Sequence, residues 1–320
     1  MKGEWQIKNV EAFNSALISY LKSKERCVVY GQNVDAGSRI GGIAKQLSAL
    51  ENIQVINSTN TENTLAGFGF GLLLADISSC YILKQHDFML LGMDHWRNTW
   101  NMIKTREFDA NYVVFAPVVD SGYEGPQANL NNLAEFSSIF DCPVHLANSS
   151  SSINKIFCNL NATSFSIVGL SQKQLKSDID YLQDLAANES SYSIFVQKDN
   201  TDETIEFTDY VICLGYSWCD VLKEVQKSMI DFSRYMFIVP HMVANTKYID
   251  FLKENTRSDM RIVLFDDSYS SLGEAHLHKE EIENQMSIRV KIVKIEIQEQ
   301  KSRPHSQKFT QVNEFFKNRI

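Results

Sequence analysis

The amino-acid sequence predicts an α/β protein of two domains, each built on a mostly parallel sheet with helices on both faces. Its 320 residues suffice for two domains of about 150 residues each. Short apolar, β-branched runs alternate with amphipathic stretches, which is the pattern of a parallel sheet covered by helices. Residues 171–205 interrupt this alternation with a polar, charged stretch. We therefore predict one domain over residues 1–185 and a second over residues 186–320.

In the first predicted domain, strands and helices follow one another with short connections. The apolar spacing of residues 8–23 predicts an amphipathic helix that opens the chain. The Gly- and Asn-rich stretch 121–132 predicts a loop, and residues 142–170 a shorter strand–helix section. Strands are predicted in the runs 25–34, 52–58, 80–88 and 111–119, and helices in 41–50, 61–76 and 89–104.

The second predicted domain repeats the alternation from about residue 206 and is smaller than the first. We predict strands in the runs 209–217, 234–242, 260–268 and 290–298, and helices in 218–230, 246–255, 276–285 and 310–320.

Composition excludes some classes of function. The net charge of −8 argues against nucleic acid as the main partner, because phosphate binding requires a basic surface. No run approaches the roughly 20 apolar residues of a membrane span, and the first residues lack the apolar core of a signal peptide. The six cysteines are scattered without a CxxC pair. We therefore expect a cytoplasmic protein with reduced thiols that binds neither nucleic acid nor membrane.

The most informative segment joins a predicted strand to a predicted glycine-rich helix. Glu62 lies there, ahead of small and apolar residues that end in the motif GFGFG at 67–71. Ligand sites of parallel α/β sheets collect at the carboxyl ends of strands, and a helix dipole stabilises a carboxylate at the helix amino terminus. Taken alone, Glu62 could equally be an ordinary first-turn acid. The glycine spacing differs from the dinucleotide fingerprint, whose third glycine lies one residue further on.

Other polar residues give weaker indications. His276 and His278 point apart on a helix, so no metal site is predicted for them or elsewhere. His241 and His305 are isolated, and the pair Asp266–Asp267 is most simply a turn or helix cap.

Several motifs occur in the order and spacing of a known family. They are GQNV (31–34), GGIAKQL (41–47), ENTLAGFGFG (62–71), HDFMLLGMDHWRN (86–98) and EGPQAN (124–129), followed by MRIVLFDDSYSSLGEA (260–275). Together they resemble the beta subunit of the 2-oxo-acid dehydrogenase decarboxylase component, and equally the carboxyl-terminal half of transketolase. The resemblance spans essentially the whole chain. It implies a thiamine-diphosphate (pyrimidine-binding) domain followed by a transketolase C-terminal-like domain.

The resemblance also implies roles for individual residues. Glu62 matches the glutamate that hydrogen-bonds the aminopyrimidine of thiamine diphosphate and so activates the cofactor, which carries the difficult chemistry. Phe88 matches the aromatic residue that stacks on the same ring, although it could also be an ordinary core phenylalanine.

Two positions depart from the family pattern. Gln32 stands where the family usually has an acidic residue, and glutamine cannot relay a proton. Gln127 and Ala128 occupy the substrate-facing motif, where Ala128 replaces a histidine. Alanine neither donates a proton nor binds an oxyanion, and losing such a group typically costs a hundred- to a thousandfold in rate. Three explanations stay open. Another group takes the role of the missing histidine, the substrate differs from those of the best-known family members, or the chain only completes a complex.

The family's diphosphate-binding motif, Gly-Asp-Gly, is missing from the sequence. The resemblance therefore implies a separate alpha-type subunit that holds magnesium and the diphosphate, with a homodimer of this chain inside an α2β2 assembly.

Three hypotheses stay open at this point. The chain is the pyrimidine-binding subunit of an enzyme for 2-oxo acid decarboxylation and acyl transfer, or for ketol transfer as in a split transketolase. Alternatively, it is a degenerate, non-catalytic scaffold. The third hypothesis is a generic two-domain protein that binds a nucleotide without a partner chain.

Overall fold

The computed structural model describes residues 9–119, 131–175, 182–186, 191–197, 207–227, 232–268, 273–298, 306–308 and 310–317. These residues form two compact units, each built on its own six-stranded sheet. The first unit contains residues up to 119 and 135–175, and the second contains 131–134 and everything from 182 onward. The two-domain α/β fold class predicted from the sequence is therefore confirmed. The strand Leu182–Asp184 already belongs to the second sheet, a few residues before the predicted boundary.

The first sheet is entirely parallel, with the strand order β2-β1-β3-β4-β6-β5. Its strands are β1 (Cys27–Gly31), β2 (Ile53–Asn57), β3 (Ser78–Ile82), β4 (Tyr112–Val118), β5 (Val144–Ala147) and β6 (Phe165–Ser171). The helices are α1 (Asn9–Lys22), α2 (Glu62–Leu74), α3 (Trp100–Ile103), α4 (Leu133–Phe140), α5 (Ser150–Asn159) and α6 (Gln172–Leu175).

Apolar side chains cover both faces of this sheet. On one face, Cys27 and Val29 of β1 belong to a buried cluster with Phe13 of α1 and Phe157 of α5. On the other face, Tyr30 points toward α2, where its hydroxyl donates a hydrogen bond to the Leu65 carbonyl over 3.0 Å. Burial on both faces explains why the strands read in the sequence as nearly continuous apolar runs.

The helix predicted over residues 41–50 is wrong. The segment forms two single 3-10 turns, Ile40–Gly42 and Leu47–Ala49. Positive φ angles interrupt it at Gly41 (φ 64°), Gly42 (φ 108°) and Gln46 (φ 65°), and an α-helix cannot continue through such residues.

The strand predicted over residues 80–88 ends early. β3 stops at Ile82, and the polar residues after it enter a 3-10 segment, His86–Gly92. The helix predicted over 89–104 is confirmed in type, but it passes through a π-helical turn at His95–Thr99 before α3. A π turn inside a helix is uncommon and often lies near a functional site.

Glycines in α2 allow bulky aromatic residues to approach the helix. A Cβ on Gly69 would lie 2.2 Å from Cζ of Tyr112 and 2.5 Å from the hydroxyl oxygen of Tyr30. A Cβ on Gly71 would meet no atom within 4 Å. The two glycines of one helix thus differ completely in the space around them.

We expect Gly69→Ala to lower the free energy of unfolding by about 2–3 kcal/mol, because the new methyl overpacks the core. Gly71→Ala is the matched control, and alanine's higher helix propensity should make it neutral or stabilising by up to about 1 kcal/mol. Urea denaturation of both variants measures the difference. Equal effects of the two substitutions would contradict this packing.

The second sheet has the strand order β12-β11-β9-β10-β8-β7 and is mixed, with β8 antiparallel to β10 and to β7. A separate ribbon pairs β13 with β14. The strands are β7 (Leu182–Asp184), β8 (Tyr192–Gln197), β9 (Asp209–Leu214), β10 (Tyr235–Pro240), β11 (Arg261–Asp266), β12 (Val290–Lys294), β13 (Glu296–Gln298) and β14 (Ser306–Lys308). The helices are α7 (Trp218–Lys227), α8 (Tyr248–Glu254), α9 (Glu274–Met286) and α10 (Thr310–Lys317).

Two apolar clusters cover the faces of this second sheet, one built with α7 and α10 and the other with α8 and α9. The predicted alternation from residue 206 onward is confirmed, but β7 and β8 lie in the stretch that we predicted to be a polar junction. In the described part of the chain, no helix has the length and apolar character needed to span a membrane.

Candidate functional site

Three neighbouring strands of the first sheet bring the predicted site residues to one edge. β2, β1 and β3 are hydrogen-bonded in that order and run parallel. Gln32 directly follows β1, Glu62 begins α2 after β2, and Phe88 lies in the 3-10 segment after β3. Because the carboxyl ends of parallel strands meet at one edge, these residues come from the part of the sheet where ligand sites collect.

Glu62 and Gln32 are in direct contact. Nε2 of Gln32 donates a hydrogen bond to Oε1 of Glu62 over 3.0 Å. Glu62 is buried, although it is the first residue of its helix, where the helix dipole favours its negative charge. Within the described residues, Oε2 of Glu62 accepts no hydrogen bond. The amide of Gln32 therefore fixes the carboxylate and leaves its second oxygen available.

A layer of tyrosines lies beside this carboxylate. Tyr30 and Tyr81 stack with their ring centroids 4.9 Å apart. Burial raises the pKa of Tyr81 most, and the charges of Tyr112 and Glu62 raise it further. Burial and then Tyr112 likewise raise the pKa of Tyr30. These phenols therefore stay neutral at physiological pH.

The polar residues just before Phe88 are buried. Gln85, His86 and Asp87 are at most 4% exposed. Oδ2 of Asp87 lies 3.4 Å from Nδ1 of His86. Within the described residues, neither carboxyl oxygen of Asp87 has a hydrogen-bond partner, and Oε1 of Gln85 has none either. Burial raises the pKa of Asp87 to about 7.

Sequence reasoning missed these buried polar groups, although His86 and Asp87 lie in the motif HDFMLLGMDHWRN. The available signal was the polar run 84–87, which begins shortly after the buried strand β3 ends at Ile82, at the edge where sites form.

Phe88 is half-buried, and its backbone N–H donates to the Gln85 carbonyl over 3.2 Å. Its segment packs on α2, since a Cβ on Gly92 would lie 3.0 Å from Cβ of Ala66. The predicted substrate-facing residues, Gln127 and Ala128, lie outside the described residues.

The arrangement fits the pyrimidine half of thiamine diphosphate better than a metal ion. A buried carboxylate with one available oxygen matches a protonated ring nitrogen, and a half-buried phenylalanine offers a face to an aromatic ring. Among the described residues, no group of three or more His, Cys, Asp or Glu side chains could hold a metal ion.

The weaker candidates of the second unit have structural partners. Asp267 accepts hydrogen bonds from the Tyr216 N–H over 2.8 Å and from the Ser217 hydroxyl over 2.6 Å, just before α7. Burial raises the pKa of Asp267 to about 6. Asp266 accepts from the Lys294 ammonium over 2.8 Å.

His278 is fully buried, with Nδ1 2.6 Å from the Tyr248 hydroxyl. His241 is also buried, and His305 lies outside the described residues.

No protein-family model matches the sequence, and neither does any curated protein. Among solved structures, a similar chain is described as "Split gene transketolase, inactive beta4 tetramer". The match covers 90% of this chain and 89% of that chain, at a TM-score of 0.58 and 13% sequence identity. At this identity the likeness concerns the fold. The chain therefore has a transketolase-like two-domain α/β fold.

Proposed function

We propose that the chain is the beta-type, pyrimidine-binding subunit of a two-chain thiamine-diphosphate-dependent enzyme. The enzyme would cleave or form a bond next to a carbonyl group. The observation that carries the proposal is the buried Glu62 carboxylate, held by Gln32 at the carboxyl edge of a parallel sheet. A purely structural role gives no reason to bury a carboxylate there with one oxygen left available.

In this proposal each residue acts on the bound aminopyrimidine. Oε2 of Glu62 binds the ring nitrogen and holds a proton there, while Gln32 orients the carboxylate through Oε1. Phe88 packs against the face of the ring. Bound thiamine diphosphate supplies the nucleophilic carbon that attacks a carbonyl group.

The chain is proposed to be incomplete alone. Magnesium and the diphosphate would be held by an alpha-type subunit, since Mg²⁺ binds through a few carboxylates together with phosphate oxygens. The split-gene transketolase chain of similar fold is described as an inactive beta4 tetramer. This description supports a beta-type chain that associates with itself and requires a different partner for activity. We propose an α2β2 assembly for this chain.

Two reaction types fit this proposal. The likeness in fold to a split-gene transketolase favours ketol transfer. The sequence motifs also suggest 2-oxo acid decarboxylation with acyl transfer. This reaction requires Glu62 in the same role, and it stays a prediction.

Calorimetric titration of thiamine diphosphate with magnesium tests the proposal. The titration is performed first on this chain alone. It is then performed on a mixture of this chain with a candidate alpha-type chain, chosen for its Gly-Asp-Gly motif. We expect binding to the mixture only, which would establish a site shared between two chains. Binding to neither sample would favour the non-catalytic scaffold, and full binding by this chain alone would overturn the need for a partner.

An apolar surface supports the proposed self-association. Leu90 is 51% exposed, Leu91 58% and Met102 81%, all within segments that lie against α2 or continue from it. Phe68 of α2 is 41% exposed on the same unit. Several large apolar side chains so exposed on neighbouring elements are typical of a protein–protein interface.

We expect Leu91→Glu to weaken the self-association of the chain at least about thirtyfold, because it places a charge in the interface core. Light scattering after size exclusion measures this effect. Leu277→Glu, on α9 of the second unit and 47% exposed in the wild type, is the matched control. An unchanged assembly in both variants would exclude this surface from the interface.

A further inference from the structure

The turn that carries Gln32 begins in close contact with β3. Gln32 directly follows β1, which lies between β2 and β3 in the first sheet. The backbone of Gly31 approaches β3 so closely that a Cβ there would lie 2.1 Å from the carbonyl oxygen of Ile82. The φ angle of Gly31 is 150°, a conformation that residues with a Cβ rarely adopt. Glycine therefore fixes the start of the turn against β3.

The end of the same turn is held by Asn57, the last residue of β2. Oδ1 of Asn57 accepts hydrogen bonds from the N–H groups of Val34 over 2.8 Å and of Asp35 over 2.9 Å. Asn57 lies opposite Gly31 in the register of β1 and β2, and the Ser58 N–H donates to the Gly31 carbonyl over 2.9 Å. The turn is thus attached to the neighbouring strands at both of its ends.

The hydrogen bond between Gln32 and Glu62 depends on where this turn holds the Gln32 side chain. The bond spans 3.0 Å and joins the turn after β1 to the first residue of α2. Only four residues separate Asn57 from Glu62 along the chain. Asn57 therefore binds the turn at the point where the chain leaves β2 toward Glu62, and it links the two partners of the hydrogen bond.

We propose that Asn57 is a positioning residue that acts on Glu62 through Gln32; this inference rests on the proposed function. Without the Asn57 oxygen, two backbone N–H groups lose their acceptor, and the turn is attached only at Gly31. The Gln32 amide then moves away from Oε1 of Glu62, and the carboxylate is free to rotate. Small displacements of such groups lower the rates of catalysed steps substantially.

The first arm of the test observes the hydrogen bond in this chain alone, without cofactor. The glutamine side chains are labelled with ¹⁵N, and Gln32→Ala and Gln54→Ala identify the two amides by the loss of their signals. In the wild type the Gln32 signals should differ from those of exposed Gln54, because Nε2 of Gln32 is bonded to Glu62. In Asn57→Ala we expect them to move toward those of Gln54. Signals that keep their wild-type position would overturn the proposal.

A conservative variant shows which atom of Asn57 is responsible. Asn57→Asp keeps side-chain oxygens that can accept both backbone N–H groups. The Gln32 signals should therefore stay at their wild-type position in Asn57→Asp. Loss of the hydrogen bond in this variant as well would contradict the role assigned to Oδ1.

Asn52→Ala is the matched control for a general loss of stability. Asn52 lies just before the other end of β2, where its Nδ2 donates to the carbonyl oxygens of Leu21 over 3.0 Å and Lys24 over 2.7 Å. The control thus removes two side-chain-to-backbone hydrogen bonds, as Asn57→Ala does, and urea denaturation compares the stability of the two variants. Asn52→Ala should leave the Gln32 signals unchanged. Equal shifts in both variants would overturn a specific role for Asn57.

The second arm uses the complete complex with thiamine diphosphate and magnesium. Exchange of the C2 proton of the cofactor in D₂O is followed by nuclear magnetic resonance. We expect Asn57→Ala to slow this exchange about tenfold, because a displaced Gln32 no longer holds the Glu62 carboxylate in place. Asn57→Asp and Asn52→Ala should both stay within about twofold of the wild-type rate, because both leave Gln32 in position.

A double variant separates action through Gln32 from any other route. Gln32→Ala removes the side chain that Asn57 positions, so adding Asn57→Ala should slow the exchange no further. Independent, multiplying losses would mean that Asn57 acts by another route, and the proposal would be overturned. A wild-type complex that does not accelerate C2 exchange would refute the proposed function instead, and the amide signals would still decide whether Asn57 positions Gln32.

Discussion

Replacing Glu62 with glutamine is expected to slow exchange of the C2 proton of bound thiamine diphosphate by about a hundred- to ten-thousandfold. The reason is that a carboxylate can hold a proton on the ring nitrogen, whereas the amide of glutamine cannot. The substitution keeps the length and shape of the side chain. It also keeps an oxygen within reach of the Gln32 amide, which now lies 3.0 Å from Oε1. A slower exchange would therefore report on the charge of the Glu62 side chain and not on its packing.

The exchange is followed by nuclear magnetic resonance after transfer of the assembled complex into D₂O, and it requires no knowledge of the substrate. Glu51→Gln makes the same chemical change at an exposed position of the first unit and should have no effect. Calorimetry on the Glu62→Gln complex separates weaker cofactor binding from slower activation. Full exchange activity in Glu62→Gln would end the catalytic hypothesis and leave the scaffold.

Most strands of the two sheets could be predicted from the sequence because burial on two faces demands apolar residues along each strand. The same reasoning failed where the backbone conformation of single residues determines the secondary structure. Nothing in the apolar pattern of GGIAKQLSAL indicates that Gly41, Gly42 and Gln46 adopt positive φ angles, yet these residues prevent the helix. It also failed for β8, since Tyr192–Gln197 is an apolar run inside a stretch that we read by its average polarity.

The candidate site could also be predicted only in part. Glu62 could be singled out because its position after a strand and at the start of a helix is visible in the sequence. Its hydrogen bond to Gln32 depends on the neighbouring positions of β1 and β2, which only the sheet order supplies. Asp87 was overlooked because a polar residue in a sequence is normally assumed to be exposed, and its burial arises from packing between the segment after β3 and its surroundings.

The burial of Asp87 predicts a distinctive dependence of stability on pH. Its pKa rises from 3.8 to about 7 in the folded chain, and each unit corresponds to about 1.4 kcal/mol. Between pH 4 and pH 7 the folded state holds a proton that the unfolded state has lost, so stability falls as pH rises. The contribution of this group is complete below pH 4 and is lost above pH 7, a total of up to about 4 kcal/mol.

We therefore expect the free energy of unfolding of Asp87→Asn, relative to wild type, to increase by up to about 4 kcal/mol between pH 4 and pH 8. Comparing the two chains at each pH cancels the titrating groups that do not contact Asp87, including Asp267, whose pKa burial also raises. His86, whose Nδ1 lies 3.4 Å from Oδ2 of Asp87, is the exception. A constant cost of the buried asparagine amide shifts the difference equally at every pH and does not alter its slope. Urea denaturation across this range provides the measurement. A difference independent of pH would mean that the pKa of Asp87 is the same in the folded and in the unfolded chain, so that burial does not raise it.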